Sequence, residues 1–165
     1  MTPSATVFDS PCADALERLA EGHEQTRALA DECRRFAHAT AHDCRMEQVA
    51  EALCRAIHRM AALEEELLFP MAREALGAPA LVDLAELEHA TARQIIRQLQ
   101  EADPREARYE ALVMALTACV ERHARHEHAQ LFPRLRESCL DMAALGERLD
   151  ARLAAEPVPV GAGVA

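Results

Sequence analysis

The chain has 165 residues, half of them apolar but only 3% aromatic, and a formal net charge of −10. The length fits one domain that buries roughly 70% of its extended surface on folding, enough for a core without disulfide support. The acidic balance argues against nucleic-acid or anionic-membrane partners, which need a basic stripe. No apolar stretch approaches the ~20 residues of a membrane span. The N-terminus lacks the basic and apolar regions of a signal peptide, so a cytoplasmic location is expected. Six cysteines (Cys12, Cys33, Cys44, Cys54, Cys119 and Cys139) are scattered with no C-x-x-C pair and read as small buried hydrophobes.

Alanine, leucine, glutamate and arginine dominate, and all favour helix. The first helix is expected after Ser10-Pro11, with Ser10 as N-cap and Pro11 in the first turn. Its stripe is Leu16, Leu19, Ala20, His23, Thr26, Ala30 and Cys33, fading near Phe36–Thr40 before a connection over Ala39–Asp43. The second, from about Arg45 to Glu74, turns Val49, Leu53, Ile57, Met60, Leu63, Glu64 and Leu67 inward. Gly77-Ala78-Pro79 stops it.

The third helix covers about Ala80 to Glu101, with His89 in line with Val82, Ala85, Ala92, Ile96 and Leu99. Asp103-Pro104 then caps and opens a fourth helix, about Arg105 to Glu137. Its inward line is Leu112, Leu116, Cys119, Val120, His123, Glu127 and Leu131. A short fifth helix capped by Asp141 follows, and the tail over 157–165 reads as disordered. Long helices with short connections give an all-α, antiparallel up-down four-helix bundle as one domain over 8–156.

The second and fourth helices share a phrase. Glu64-Glu65-Glu66-Leu67-Leu68-Phe69-Pro70 aligns with Glu127-His128-Ala129-Gln130-Leu131-Phe132-Pro133, and both continue to an Arg-Glu pair. This is an approximate duplication of a helix pair, in which His23 corresponds to His89. Each proline should kink its helix. His123 and Glu127, four apart, share a face about 6 Å along the axis. Imidazole and carboxylate together suit iron, manganese or zinc. Carboxylates from two facing helices can bridge metals while histidines bind terminally. Glu64 and Glu127 are the natural bridges, and His23, His89 and His123 the terminal ligands. Where the repeat calls for a histidine on the second helix the chain has Met60, a filler of core volume. His58 sits about 200° away and faces solvent. His38, His42 and His128 also read as solvated, and of Glu64-Glu65-Glu66 only Glu64 points inward. His126 is a further candidate ligand, three residues from His123.

These residues resemble the hemerythrin-like HHE cation-binding family over nearly the whole chain. The family pattern is a histidine on helix 1, His-x-x-x-Glu on helix 2, a histidine on helix 3 and His-x-x-x-Glu on helix 4, with Phe-Pro or Tyr-Pro following. The resemblance implies a carboxylate-bridged non-haem centre of one or two iron ions (zinc or manganese being other occupants) that binds or senses oxygen, nitric oxide or peroxide in stress or iron handling. Met60 departs from the pattern, and the alternative it leaves is a metal-poor or mononuclear bundle with a binding or structural role. The sequence contains no nucleophile triad or phosphate loop that would mark a separate enzymatic activity.

Overall fold

The computed structural model describes residues 15–37 and 44–155. The expected Ser10 cap, the connection over 39–43, His38, His42, Cys12 and the tail lie outside them. Helices are α1 Ala15–Ala37, α2 Cys44–Leu63, α3 Phe69–Leu76, α4 Pro79–Glu101, α5 Ala107–His126, α6 Phe132–Arg136 and α7 Met142–Ala154. Two single π turns, π1 over Glu64–Leu68 and π2 over Glu127–Leu131, join α2 to α3 and α5 to α6. The result is four long rods, α1, α2–π1–α3, α4 and α5–π2–α6, arranged as the expected helical bundle. No strand occurs among the described residues. The long helix α1 packs on α2 and α5, α4 packs on α5, and α7 lies against α1 and π1.

The breaks follow local chemistry. Gly77 ends α3 in the left-handed region (φ 55°), where a residue without Cβ is unstrained. Pro79 occupies the first turn of α4. Asp141 caps α7 by accepting from the Ala144 N–H at 2.9 Å. The fourth rod starts at Ala107 rather than Arg105. The Asp103 side chain accepts the Arg105 N–H at 2.9 Å and its carbonyl accepts the Glu106 N–H at 3.0 Å. Those bonds hold residues 103–106 in a turn and delay the helix.

The proline kinks take a specific form. The carbonyl of Glu64 accepts from the N–H of Phe69, and that of Glu127 from Phe132, both five residues on. Widening the turn before Pro70 and Pro133 makes room for rings that would otherwise strike the preceding turn. The added residue also corrects the expected stripe. Leu68 is fully enclosed, while Leu67 is only half-buried.

The core has two apolar clusters. One gathers Leu16, Leu19, Leu63, Phe69, Val82, Phe132 and Leu145, and the other Cys33, Leu53, Ile57, Ile96, Leu116 and Val120. Each enclosed leucine contributes about 1.5–3 kcal/mol. Along α1, α4 and α5 a polar layer lies between them: His23 and Thr26, Glu88 and His89, His123 and His126. Cys33 and Cys119 are buried as expected, whereas Cys139 is exposed. Burial pushes the Cys33 thiol up to about 11, which makes it a poor nucleophile. Tyr109 is buried among the second cluster.

Candidate metal centre

The five expected ligands meet in that layer. His23 comes from the middle of α1, His89 from the middle of α4 and His123 from the last turn of α5. Glu64 and Glu127 are the first residues of the two π turns. His23, Glu64, His123 and Glu127 offer donor atoms that all lie within 4.8 Å of one another. His89 joins them, its Nε2 3.0 Å from Glu64 Oε2 and 3.4 Å from His123 Nε2.

All three imidazoles present Nε2 to the interior and Nδ1 to an outer partner. His23 Nε2 lies 2.8 Å from Glu64 Oε1, and His123 Nε2 3.3 Å from Glu64 Oε2. On the outer side, His89 Nδ1 is 2.9 Å from Glu65 Oε1 and His123 Nδ1 is 3.2 Å from Glu88 Oε2. His23 Nδ1 faces His128 Nε2 at 3.2 Å. With an ion bound, Nδ1–H donating outward would leave each Nε2 lone pair for the ion, the arrangement in which outer partners fix tautomer and ring orientation. The phenylalanines of the repeated phrase cross over. Phe69 stacks on His89 at 5.3 Å between centroids, and Phe132 on His23 at 6.0 Å.

The electrostatics separate the two glutamates. Burial would raise Glu64, but hydrogen bonds from His123, His23 and His89 overcome it and hold the carboxyl well below its usual range. Burial and then the charge of Glu64 push Glu127 well above its usual range. Burial would lower His123, yet its bonds to Glu64 and Glu88 raise it well above an ordinary imidazole. Both Glu127 oxygens are enclosed with no hydrogen-bond partner. Nε2 of His23 and of His123 stand 3.6 and 3.9 Å from them. A buried carboxylate without a donor is costly. A divalent cation among these imidazoles and carboxylates would satisfy it, so the residues fit a metal.

Several sequence readings need correction. Glu65 is not simply solvated: it binds His89 and, through Oε2, the Arg93 guanidinium at 2.7 Å. His128 is exposed, yet it is the outer partner of His23. His126 is buried but turns Nδ1 to Glu88 at 3.3 Å, outside the converging donors. Glu88, buried and shared by His123, His126 and Arg122, escaped sequence reading. Its position directly before His89, one face-step from the ligand line, was the available signal. His58 is exposed as expected.

Beside the donors lies a cavity of about 40 Å³, lined by His23, His89 and His123 and otherwise largely by apolar side chains, including Ile57, Met60, Ala92 and Val120. A water needs roughly 10–15 Å³ on this measure, so the space suits a molecule of two or three heavy atoms. No helix among the described residues is long and apolar enough to cross a membrane.

A family model described as hemerythrin HHE cation binding domain matches residues 14–135. The fold is similar to the crystal structure of a hemerythrin HHE cation binding domain-containing protein from Mycobacterium kansasii. The TM-score is 0.72, with 22% identity over 86% of each chain. At that identity the likeness concerns the fold. No curated protein matches the sequence.

Proposed function

The chain belongs to the hemerythrin HHE cation-binding family, and from that premise we propose a cytoplasmic non-haem iron protein that binds or senses a small ligand: oxygen, nitric oxide or peroxide. The observation that carries the reading is the convergence of three Nε2 atoms on Glu64, with Glu127 beside those of His23 and His123 and neither of its oxygens hydrogen-bonded. His23, His89, His123, Glu64 and Glu127 would hold the metal. Iron there would supply a redox-active centre with an open position for such a ligand.

The chain's own residues do the remaining work. Glu65 and Glu88 orient two of the imidazoles, and the apolar walls restrict water and limit ligand size. Phe69 and Phe132 stack on the rings of His89 and His23 and help fix their orientation.

Met60 favours a second reading, a metal-poor bundle with a binding or structural role. Elemental analysis of protein purified anaerobically with iron supplied decides between them. The proposal expects at least one iron per chain, and a visible spectrum that changes on adding nitric oxide. Sub-stoichiometric metal of every kind would leave only the second reading.

A further inference from the structure

The internal repeat pairs positions whose chemistry differs. Glu64 corresponds to Glu127 and His23 to His89, but Met60 corresponds to His123, Glu65 to His128, and Gly22 to Glu88. In each pair the residue less suited to support a metal, Met60, His128 or Gly22, falls on the His23 side of the two shared carboxylates.

Each carboxylate shows one oxygen to each side. Glu64 Oε2 and Glu127 Oε1 approach His123, and Glu64 Oε2 also meets His89. Glu64 Oε1 and Glu127 Oε2 approach His23. The first side therefore has two imidazoles and two carboxylate oxygens, and each imidazole leans on a carboxylate, His89 on Glu65 and His123 on Glu88. The second side has one imidazole, whose outer partner is another imidazole, His128, in place of a carboxylate.

Its missing imidazole has been replaced as a unit. The Met60 side chain lies against Gly22, where a Cβ would collide with Sδ and stand 2.9 Å from Cε. The Met60–Gly22 contact thus takes the place that the His123–Glu88 pair occupies on the other side. A thioether is a poor donor to hard cations. A carboxylate behind an imidazole raises its basicity, and its loss typically costs 10- to 100-fold in metal affinity.

We propose that the centre is built unequal: a divalent cation is held tightly on the His89–His123 side, and a second ion binds on the His23–Met60 side weakly enough to exchange. This rests on the metal-binding reading above. The ordered side would stay loaded, while the other gains or loses its ion with availability, which makes the second position the one open to regulation by free metal.

The test is titration of metal-free protein with Co²⁺ against a chelator of known affinity. One tight equivalent and a second at least about 100-fold weaker are expected. His23→Ala should abolish only the weak phase, and His89→Ala should remove the tight one. The double change Met60→His with Gly22→Glu should yield two tight equivalents. Circular dichroism checks folding, and if the double variant is unfolded the two alanine variants decide. Two wild-type equivalents of equal affinity, or loss of the tight ion in His23→Ala, would overturn the proposal while leaving metal binding intact. So would a folded double variant with one tight equivalent. No Co²⁺ bound at all would remove both this inference and the metal reading.

Discussion

Glu64 and Glu127, each fully enclosed and with donor oxygens within 4.8 Å, have their carboxyl pKa values pushed in opposite directions. Three imidazoles surround the first, while the second has no hydrogen-bond donor. Replacing each by its amide should therefore have unlike effects on metal-free protein. Glu64→Gln removes the counter-charge of His123 and the acceptor shared with two further buried imidazoles, and should cost about 3–5 kcal/mol. Glu127→Gln places a neutral group where burial and the Glu64 charge already disfavour the carboxylate, and should change stability by less than about 1 kcal/mol. Urea unfolding in the presence of a chelator at pH 7 measures both, and equal losses would refute the assignment.

A pH dependence follows from the same groups. Glu127 and His123 both bind their proton more tightly folded than unfolded. Stability from such groups is full below their unfolded values and is lost as pH rises through the folded ones. Metal-free protein should therefore lose stability as pH rises, beginning above the ordinary carboxylate range for Glu127 and above the ordinary imidazole range for His123. Metal binding must displace these protons, so uptake near pH 7 should release protons and apparent affinity should rise with pH. Calorimetry in buffers of different ionisation enthalpy reads the proton count; a count of zero would contradict the scheme.

Glu65 and Glu88 touch the imidazoles on the side away from the interior. Their replacement by glutamine should weaken Co²⁺ binding about 10- to 100-fold with helicity unchanged. An affinity equal to wild type in chelator competition would show that these carboxylates are only surface partners.

The cavity beside the donors gives a prediction about ligands rather than metal. Ala92 lines it opposite the α2 wall and is nearly enclosed. Ala92→Leu should fill the space, costing about 1–3 kcal/mol in overpacking. Azide or nitric oxide binding to iron-loaded protein should fall at least about tenfold, with iron content unchanged. Unaltered ligand binding would mean that small molecules reach the centre elsewhere.

Much of this was legible in the sequence because helices report their inner face through period. The His89 line on α4 is buried at every expected position, and the duplicated Glu…Leu-Phe-Pro phrase located both glutamates. Period fails where the turn changes: the π turns add a residue, which exchanged Leu67 for Leu68 in the core. It also fails for partners across rods. Glu88 and Glu65 look like ordinary polar-face residues on their own helices, and only packing brings them to His123 and His89. His128 is exposed as read, and only its contact with His23, 105 residues earlier in the chain, was not legible.

The most direct test of the centre is anomalous diffraction at the iron edge from crystals of anaerobically iron-loaded protein. The account predicts a peak between Glu64 and Glu127, about 2 Å from Nε2 of His89 and His123. A peak elsewhere in the molecule, or none in crystals shown to be iron-supplied, would contradict it.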